Sequence, residues 1–257
     1  MNKVKKLVYN HIIPILGSLS KGKNKYINVI YYHDIVDSGA HGSQYMDIDT
    51  FKSQMEYLVE KGYKTYTFSE LENENNLKFD KKSVLITFDD GWRSNYDKIF
   101  DYMKEKGIKY NIYLEVGNIG KDERYLNWEE VREMKRSGIV GFGAHTVNHI
   151  SMEDPSIEGY DFEIEETNRV FERELGFIPV DFCYPYGFYS NESNEYLTKN
   201  TVYTRIYTSS LRHSYEMNAK IIFGRSSINA DESFKVFKNK VKGNYNIFAA
   251  LRGKRNE

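Results

Sequence analysis

Two histidines and two aspartates have the residue types and the spacing of a hydrolytic metal site. His145 and His149 lie four residues apart, so on one side of a helical turn they can bind one metal ion together. For an isolated pair, the alternative is two surface histidines. A carboxylate from Asp89 or Asp90 would complete a set of two histidines and one acid that leaves positions open for water and substrate.

The adjacent aspartates predict a division of roles. Neighbouring side chains on an extended chain point in opposite directions, so Asp89 and Asp90 cannot both face the same atom. One of them would bind the metal, and the other would face the water as a base. Because a metal lowers the pKa of its bound water toward about 7, a nearby carboxylate can deprotonate that water. This chemistry suits hydrolysis of an amide or an ester.

The positions of these residues relative to strand-like runs predict how they are brought together. Four runs end in polar or reactive residues: INVIYY (27–32) in His33-Asp34, SVLITF (83–88) in Asp89-Asp90-Gly91, IVGFGA (139–144) in HTVNH (145–149), and VDFCY (180–184) in Pro185-Tyr186-Gly187. In an α/β barrel the carboxyl ends of the strands share one face, and that face holds the active site. One strand that ends in such residues could simply lead into a turn. Four strands that do so are hard to explain as turns alone.

Strand-like and helix-like runs alternate along the chain. Further strands are predicted at 109–116, 202–208 and 220–224. Helices are predicted at 49–62, 95–107, 127–138, 156–176 and 231–241, with Asp49 or Thr50 capping the first and Asn127 the third. Alternation at this spacing indicates parallel strands with crossover helices, in an α/β barrel or an open sheet.

Composition limits the domain count and the classes of partner. The 257 residues show no internal repeat and no linker, which favours one domain over 1–257. The 36 lysines and arginines nearly balance the 37 aspartates and glutamates, so nucleic acid is not expected as a partner. Cys183 is the one cysteine, which excludes an intrachain disulfide. The oligomeric state is left open.

The N-terminal segment, residues 1–23, begins with Lys3, Lys5 and Lys6 and continues with a modest apolar stretch. That stretch is too short to span a bilayer and is a poor signal peptide. We favour a helix packed on the domain, and the alternative is an amphipathic helix in peripheral contact with a membrane. The C-terminal residues 246–257 are similarly basic. The expected location is cytoplasmic or peripheral to the membrane, with the cell envelope as the alternative.

Three motifs, in their order, resemble those of the polysaccharide deacetylases, the NodB-homology group of carbohydrate esterases. They are TFDDG (87–91), HTVNH (145–149) and YPYG (184–187). The upstream YYHDI (31–35) resembles a segment of the subgroup that de-N-acetylates poly-N-acetylglucosamine. The resemblance covers residues 27–225 and makes the flanking segments helical extensions. It implies a distorted (β/α) barrel with fewer units than eight, and hydrolysis of N-acetyl groups on a glycan that contains N-acetylhexosamine. It also implies a divalent ion, zinc by preference, with cobalt or nickel as alternatives.

The resemblance also implies a role for individual residues. Asp90 would bind the metal with His145 and His149, and Asp89 would be the base. The backbone N–H of Tyr186 would help to hold the oxyanion. A general acid must protonate the leaving amine. His33, which stands where the biofilm-type relatives have their histidine, is the preferred acid, and the late His213 is the alternative.

One position departs from the family pattern. Many relatives have an arginine two residues before the motif proline, near the base, and here that position is Cys183. Arg225, in FGRSSI, is expected to take over by pairing with Asp89 and keeping it ionised. The alternative is that Arg225 is an ordinary surface arginine.

The motifs leave rival functions open. The same metal and water chemistry would serve an O-acetyl esterase of the same group. A sugar-binding protein that has lost catalysis is a second rival, although the complete Asp-Asp-His-His set argues against it. A non-haem iron oxygenase also uses two histidines and a carboxylate, but it would not need Asp89.

Overall fold

A computed structural model of the chain describes residues 7–19, 26–72, 79, 82–153 and 159–246. Its strands are β1 Asn28–Tyr32, β2 Asp34–Val36, β3 Tyr45–Asp47, β4 Lys64–Thr65, β5 Ser83–Phe88, β6 Tyr110–Leu114, β7 Val140–Ala144, β8 Asp181–Cys183, β9 Arg205–Thr208, β10 Tyr215–Met217 and β11 Lys220–Ser227. Its helices are α1, which is π-helical over Val8–Ile12 and α-helical over Ile13–Leu19, α2 Ile48–Glu60, α3 Phe68–Glu72, α4 Ser94–Asp97, α5 Phe100–Lys106, α6 Trp128–Arg136, α7 Tyr160–Leu175, α8 Asn191–Asn200 and α9 Phe234–Val241.

Seven parallel strands close into a barrel in the order β1-β5-β6-β7-β8-β9-β11. Closure occurs at β1, where Val29 lies between Leu85 of β5 and Arg225 of β11. The ring has one strand fewer than a regular eightfold barrel, and the short β4 pairs with the beginning of β5 outside it. The prediction of a distorted (β/α) barrel is confirmed.

Side chains alternate between the inside and the outside of the barrel, as they must on a strand. Val29, Leu85 and Tyr207 belong to a cluster inside the ring, whereas neighbours such as Ile30 and Ile86 pack against the surrounding helices. Both faces of these strands are therefore buried, which explains why the strand sequences are almost continuously apolar.

Arg205, Asp181 and Tyr207 form a connected polar group within the barrel. Arg205 donates two hydrogen bonds of 2.6 Å to Asp181 on the neighbouring strand, and Tyr207 donates a third to the same carboxylate. Arg205 also donates to the carbonyl of Phe68. The Phe68 ring packs 5.2 Å from that of Tyr113, so α3 covers this end of the interior.

Most of the predicted helices are present, with two differences. The predicted cap of the third helix is confirmed, because the Asn127 side chain accepts hydrogen bonds from the backbone of Glu129 and Glu130. Neither Asp49 nor Thr50 caps the first, which begins at Ile48. The predicted helix 95–107 is two helices, α4 and α5, separated at Lys98 and Ile99.

Helix α1 packs on α9 and on the segment that follows it. Ile13 is buried against Val236 and Tyr245, and the Tyr9 hydroxyl donates a 3.0 Å hydrogen bond to Glu232. A helix packed on the domain was the favoured prediction for this segment. Lys3, Lys5, Lys6 and residues 247–257 lie outside the described residues. None of the helices described above has the length and apolar character needed to cross a bilayer.

Candidate metal centre and active site

The predicted site residues lie at the carboxyl ends of the barrel strands. His33 follows β1, Asp89 and Asp90 follow β5, and His145 follows β7. Backbone hydrogen bonds continue the strand pairing into the site, from Asp89 N to Tyr32 O at 3.0 Å and from His145 N to Leu114 O at 3.1 Å. Closure of the barrel therefore brings together residues that are more than a hundred positions apart in the sequence.

Asp90, His145 and His149 converge on one point. Asp90 Oδ1 lies 3.4 Å from His145 Nε2 and 3.3 Å from His149 Nε2, and the three potential ligand atoms lie within 4.8 Å of one another. His145 Nδ1 lies 2.7 Å from the carbonyl oxygen of Cys183, which orients the ring so that Nε2 faces Asp90. The predicted set of two histidines and one acid is therefore assembled in space.

The state of the Asp90 carboxylate favours a cation between Asp90 and the two histidines. Its Oδ1 is buried and forms no hydrogen bond of good geometry with any described residue, which is uncommon for a buried oxygen. Burial alone would raise the pKa of Asp90, but contacts with His145 and His149 outweigh it and hold that pKa well below its usual range. An ionised oxygen that faces two imidazole nitrogens fits a divalent metal ion.

The two histidines are not on a helical turn, and that expectation is wrong. Residues 145–149 form an irregular loop in which Thr146 has φ 65° and His149 has φ 52°. Asp90 and Tyr186 also have positive φ, so four of the six non-glycine residues with this conformation in the described chain belong to the site. Such left-handed backbone is unfavourable for residues with a side chain and persists only where surrounding contacts hold it.

Glu163, a buried residue in the first turns of α7, supplies such contacts. Its carboxylate accepts hydrogen bonds of 2.8 and 2.9 Å from the backbone N–H groups of Val147 and Asn148, and one of 2.7 Å from the Asn148 side chain. These three bonds hold the centre of the loop between the two histidines. Glu163 could not be predicted from the sequence, because nothing local marks it among the other acids of this helix.

Asp89 forms a buried, two-pronged ion pair with Arg225. Arg225 donates from Nη1 to Asp89 Oδ1 at 2.7 Å and from Nη2 to Oδ2 at 2.8 Å. The guanidinium also stacks 4.2 Å from the centre of the Tyr31 ring, and its Nη2 lies 2.9 Å from Cys183 Sγ. Arg225 is 1% exposed, so it is not a surface arginine, and it occupies the space beside the family's arginine position.

The pair determines the charge state of Asp89. Burial alone would raise the pKa of Asp89, but the adjacent Arg225 guanidinium outweighs burial and lowers that pKa. Asp89 is therefore ionised at neutral pH and acts only as an acceptor of hydrogen bonds or protons. An ionised carboxylate next to a metal site is suited to take a proton from water.

His33 lies beside this pair. Its Nε2 is 3.9 Å from Asp89 Oδ2, and its Nδ1 is 3.0 Å from the carbonyl oxygen of Ser43. His213 is half-buried in the loop between β9 and β10. Tyr186 lies in a short 3-10 turn at Pro185–Gly187, and its ring centre is 4.5 Å from that of His149.

Comparison with known proteins places this arrangement in a family. A family profile described as "Polysaccharide deacetylase" matches residues 76–204, which is half of the chain. The chain belongs to the polysaccharide deacetylase family. The matched segment contains Asp89, Asp90, both site histidines and Tyr186, whereas His33 and Arg225 lie on either side of it.

Curated relatives share part of their length with this chain. YxkH of Bacillus subtilis, which is named for the same family, is 29% identical over 167 residues that cover 64% of this chain and 58% of YxkH. A poly-beta-1,6-N-acetyl-D-glucosamine N-deacetylase of Staphylococcus epidermidis is 26% identical over 59% of this chain and 57% of the relative. The enzyme of the same name from Escherichia coli K12 is 25% identical over 46% of this chain but only 20% of its own length.

Solved structures of deacetylases share the fold. PplD of Streptococcus pyogenes, in complex with acetate, superposes with a TM-score of 0.72 at 20% identity, over 86% of this chain and 99% of PplD. IcaB from Ammonifex degensii superposes with a TM-score of 0.71 at 24% identity, over 84% of this chain and 97% of IcaB. The seven-stranded barrel is therefore the architecture of this deacetylase family.

Aromatic side chains lie next to Asp90 and next to His149. Trp92 donates a 3.0 Å hydrogen bond to Asp90 and stacks on Tyr125, with ring centres 4.6 Å apart. Tyr186, whose ring lies next to that of His149, is 58% exposed, and Phe188 is 56% exposed. Trp92 was not among the predicted site residues, although its position directly after Gly91 and the Asp-Asp pair was a usable signal.

Proposed function

We propose that this chain is a metal-dependent hydrolase that removes N-acetyl groups from a glycan containing N-acetylhexosamine. The observation that carries the proposal is the Asp90, His145 and His149 set, assembled beside the ionised Asp89. Membership of the family supports a deacetylase, and the names of the curated relatives support an N-acetylglucosamine polymer as the substrate class.

Asp90, His145 and His149 are the proposed metal ligands. Two imidazoles and one carboxylate that leave one side open are typical of catalytic zinc, and cobalt or nickel are alternatives. When bound, such an ion would polarise the acetyl carbonyl and activate a water molecule. The hydrogen bond from His145 to Cys183 O and the one from Trp92 to Asp90 would hold two of the three ligands in place.

Asp89, His33 and Tyr186 are the proposed catalytic groups. Asp89 takes a proton from the water whose oxygen bonds to the acetyl carbon, and the Tyr186 backbone N–H donates to the oxyanion that forms. The C–N bond then breaks, and His33 donates a proton to the leaving nitrogen. The products are acetate and a free amine on the sugar. Arg225 keeps Asp89 ionised and oriented for the first of these steps.

The flanking aromatic residues suit a sugar chain. The flat faces of hexose rings pack well on aromatic rings. The hydroxyl groups at the edge of the hexose can still form hydrogen bonds. Trp92, which stacks on Tyr125 beside Asp90, and the exposed Tyr186 beside His149 supply such rings next to the proposed metal ligands. The location at which the protein would act on this glycan stays a prediction: the cytoplasm, the membrane periphery or the cell envelope.

Acetate release from a panel of N-acetylated oligosaccharides and lipid-linked sugars, with and without a chelator, tests the proposal. We expect release that the chelator abolishes and that added zinc, cobalt or nickel restores. O-acetylated sugars in the same panel address the esterase alternative, which would be favoured if only these are hydrolysed. A protein that holds its metal, binds the sugars and releases no acetate would be a carbohydrate-binding relative.

A further inference from the structure

Helix α1 has one face that packs on the domain. Tyr9, Ile13 and Gly17 recur every four residues along it, and each contacts the region of α9 or the segment that follows. At Gly17 the backbones touch, because an added Cβ would lie 1.9 Å from the carbonyl oxygen of Asn244. Tyr245 donates a hydrogen bond to the carbonyl of Tyr9. These contacts determine which face of α1 points away from the domain.

The opposite face of α1 is exposed and almost entirely apolar. Its large apolar residues are between 37% and 76% exposed, and we call them the apolar face of α1: Leu7, Val8, Ile12, Ile15, Leu16 and Leu19. They follow the spacing of one side of a helix, and only His11 interrupts them among the exposed residues of this helix. Contiguous exposed patches of this kind mark interaction sites, whereas single exposed apolar residues need no explanation.

The sequence on both sides of this helix is strongly basic. Lysines stand at positions 3, 5 and 6 before it and at positions 21, 23 and 25 after it, and the first acid of the chain is Asp34. The chain as a whole has a formal net charge of −1, so this positive charge is concentrated at the N-terminal segment. An apolar helical face between two groups of lysines is complementary to a surface that is apolar below an anionic layer.

We propose that the apolar face of α1 binds the surface of an anionic phospholipid bilayer. The described helix, residues 7–19, would be roughly 20 Å long, which is shorter than the roughly 30 Å hydrocarbon core, so it lies on the bilayer and does not cross it. A second copy of the chain suits the face less well, because symmetric pairing would bring two sets of lysines together.

Co-sedimentation of the full chain with lipid vesicles tests the proposal. We expect binding to vesicles of phosphatidylcholine mixed with phosphatidylglycerol, weaker binding to phosphatidylcholine alone, and loss of the difference at high salt. The variant Ile15→Ser with Leu19→Ser should bind the mixed vesicles at least about tenfold more weakly, because two side chains no longer enter the apolar layer.

A control is the variant Ile178→Ser with Val202→Ser, which changes two other exposed apolar residues outside α1 and should bind as the unchanged chain does. Equal circular dichroism spectra for both variants show that the fold is retained. The proposal is overturned if the unchanged chain does not sediment with the mixed vesicles, or if the α1 variant binds them equally well. A concentration-dependent dimer that the α1 variant loses, without vesicle binding, would assign the face to a second copy instead.

Discussion

At the scale of residues, the site combines one buried ion pair with one set of proposed metal ligands. The adjacent residues Asp89 and Asp90 each belong to one of these two halves. Asp89 faces Arg225 and His33, while Asp90 faces His145 and His149. Neighbouring residues at a strand end diverge, so one two-residue stretch serves both halves of the site. The roles of the two halves can therefore be separated by substitution.

We expect Asp89→Asn to retain the metal ion and to lose at least about two orders of magnitude in the rate of N-acetyl hydrolysis, a typical contribution of a general base. The amide keeps the shape of the carboxylate but cannot accept a proton from water at neutral pH. Elemental analysis and initial rates on the same preparation, with its folding checked by circular dichroism, provide the measurement. A normal rate would assign the base to another group.

Arg225→Met is expected to destabilise the protein by about 3–5 kcal/mol, because it leaves Asp89 buried without its partner. In the double variant Asp89→Asn with Arg225→Met no buried charge is left unpaired, so part of this loss should be recovered. Denaturant unfolding of the two single variants and the double variant measures the coupling. Strictly additive losses would show that the pair is not coupled as its geometry indicates.

His33→Ala should severely lower the rate of amide cleavage with the metal retained, while His213→Ala should have a small effect. An amine leaves poorly unless it is protonated, so an acid must act as the C–N bond breaks. An activated acetyl ester has a better leaving group and should suffer less from loss of the acid. The rates of both variants on both substrates decide which histidine is the general acid. The assignment is reversed if His213→Ala is nearly inactive on the amide and His33→Ala is active.

At the scale of elements, α7 holds the loop of residues 145–149, which carries two of the proposed metal ligands, from outside the barrel. Glu163 is the link, since its carboxylate accepts two backbone and one side-chain hydrogen bond from Val147 and Asn148. The loop that it supports has two residues with positive φ, Thr146 and His149. Loss of these bonds would let the loop relax and move His149 away from Asp90.

We therefore expect Glu163→Ala to weaken metal binding by about tenfold or more, in the range seen when groups that support metal ligands are removed. Glu163→Gln should be milder, because the amide can still accept from the backbone and the Asn148 side chain can turn to match it. Titration against a chromophoric chelator measures affinity without relying on activity. Glu165→Ala, at an exposed position of the same helix, is the control, and an equal loss in that variant would refute the role of Glu163.

At the scale of the whole molecule, the proposed metal ligands come from two separate segments that only the folded barrel brings together. An ion that binds the folded chain and not the unfolded one stabilises it, by about 2.7 kcal/mol when its concentration is 100 times its Kd. For a chain of this size each kcal/mol corresponds to about 2–4 °C in Tm. The metal site and the global stability are therefore coupled.

Removal of the metal with a chelator should lower the Tm by about 5–10 °C, and the same treatment should leave His149→Ala nearly unchanged. That variant lacks one of the three ligands and should hold little metal by elemental analysis. His41→Ala, which changes an exposed histidine outside the site, should respond as the unchanged chain does. Full metal occupancy in His149→Ala would contradict the assignment of His149 as a ligand.

The sequence by itself determined the barrel strands and most of the site. Apolar runs such as SVLITF mark buried parallel strands, and the strand ends share one face of a barrel whatever the connections between them, so Asp89, Asp90, His145 and His33 could be placed together from order alone. Family motifs then divided their roles.

Only the tertiary structure decided the surroundings of these residues. The sequence left two alternatives for Arg225, and it pairs with Asp89 because β11 closes the ring beside β1. Glu163 reaches the loop because α7 packs against it, a contact that no local pattern encodes. The helical turn expected for His145 and His149 is absent, because those distant contacts stabilise a backbone that helical spacing does not describe. The apolar face of α1 was likewise decided by the tertiary structure, because packing of Ile13 and Gly17 on the domain determined which side of the helix remained exposed.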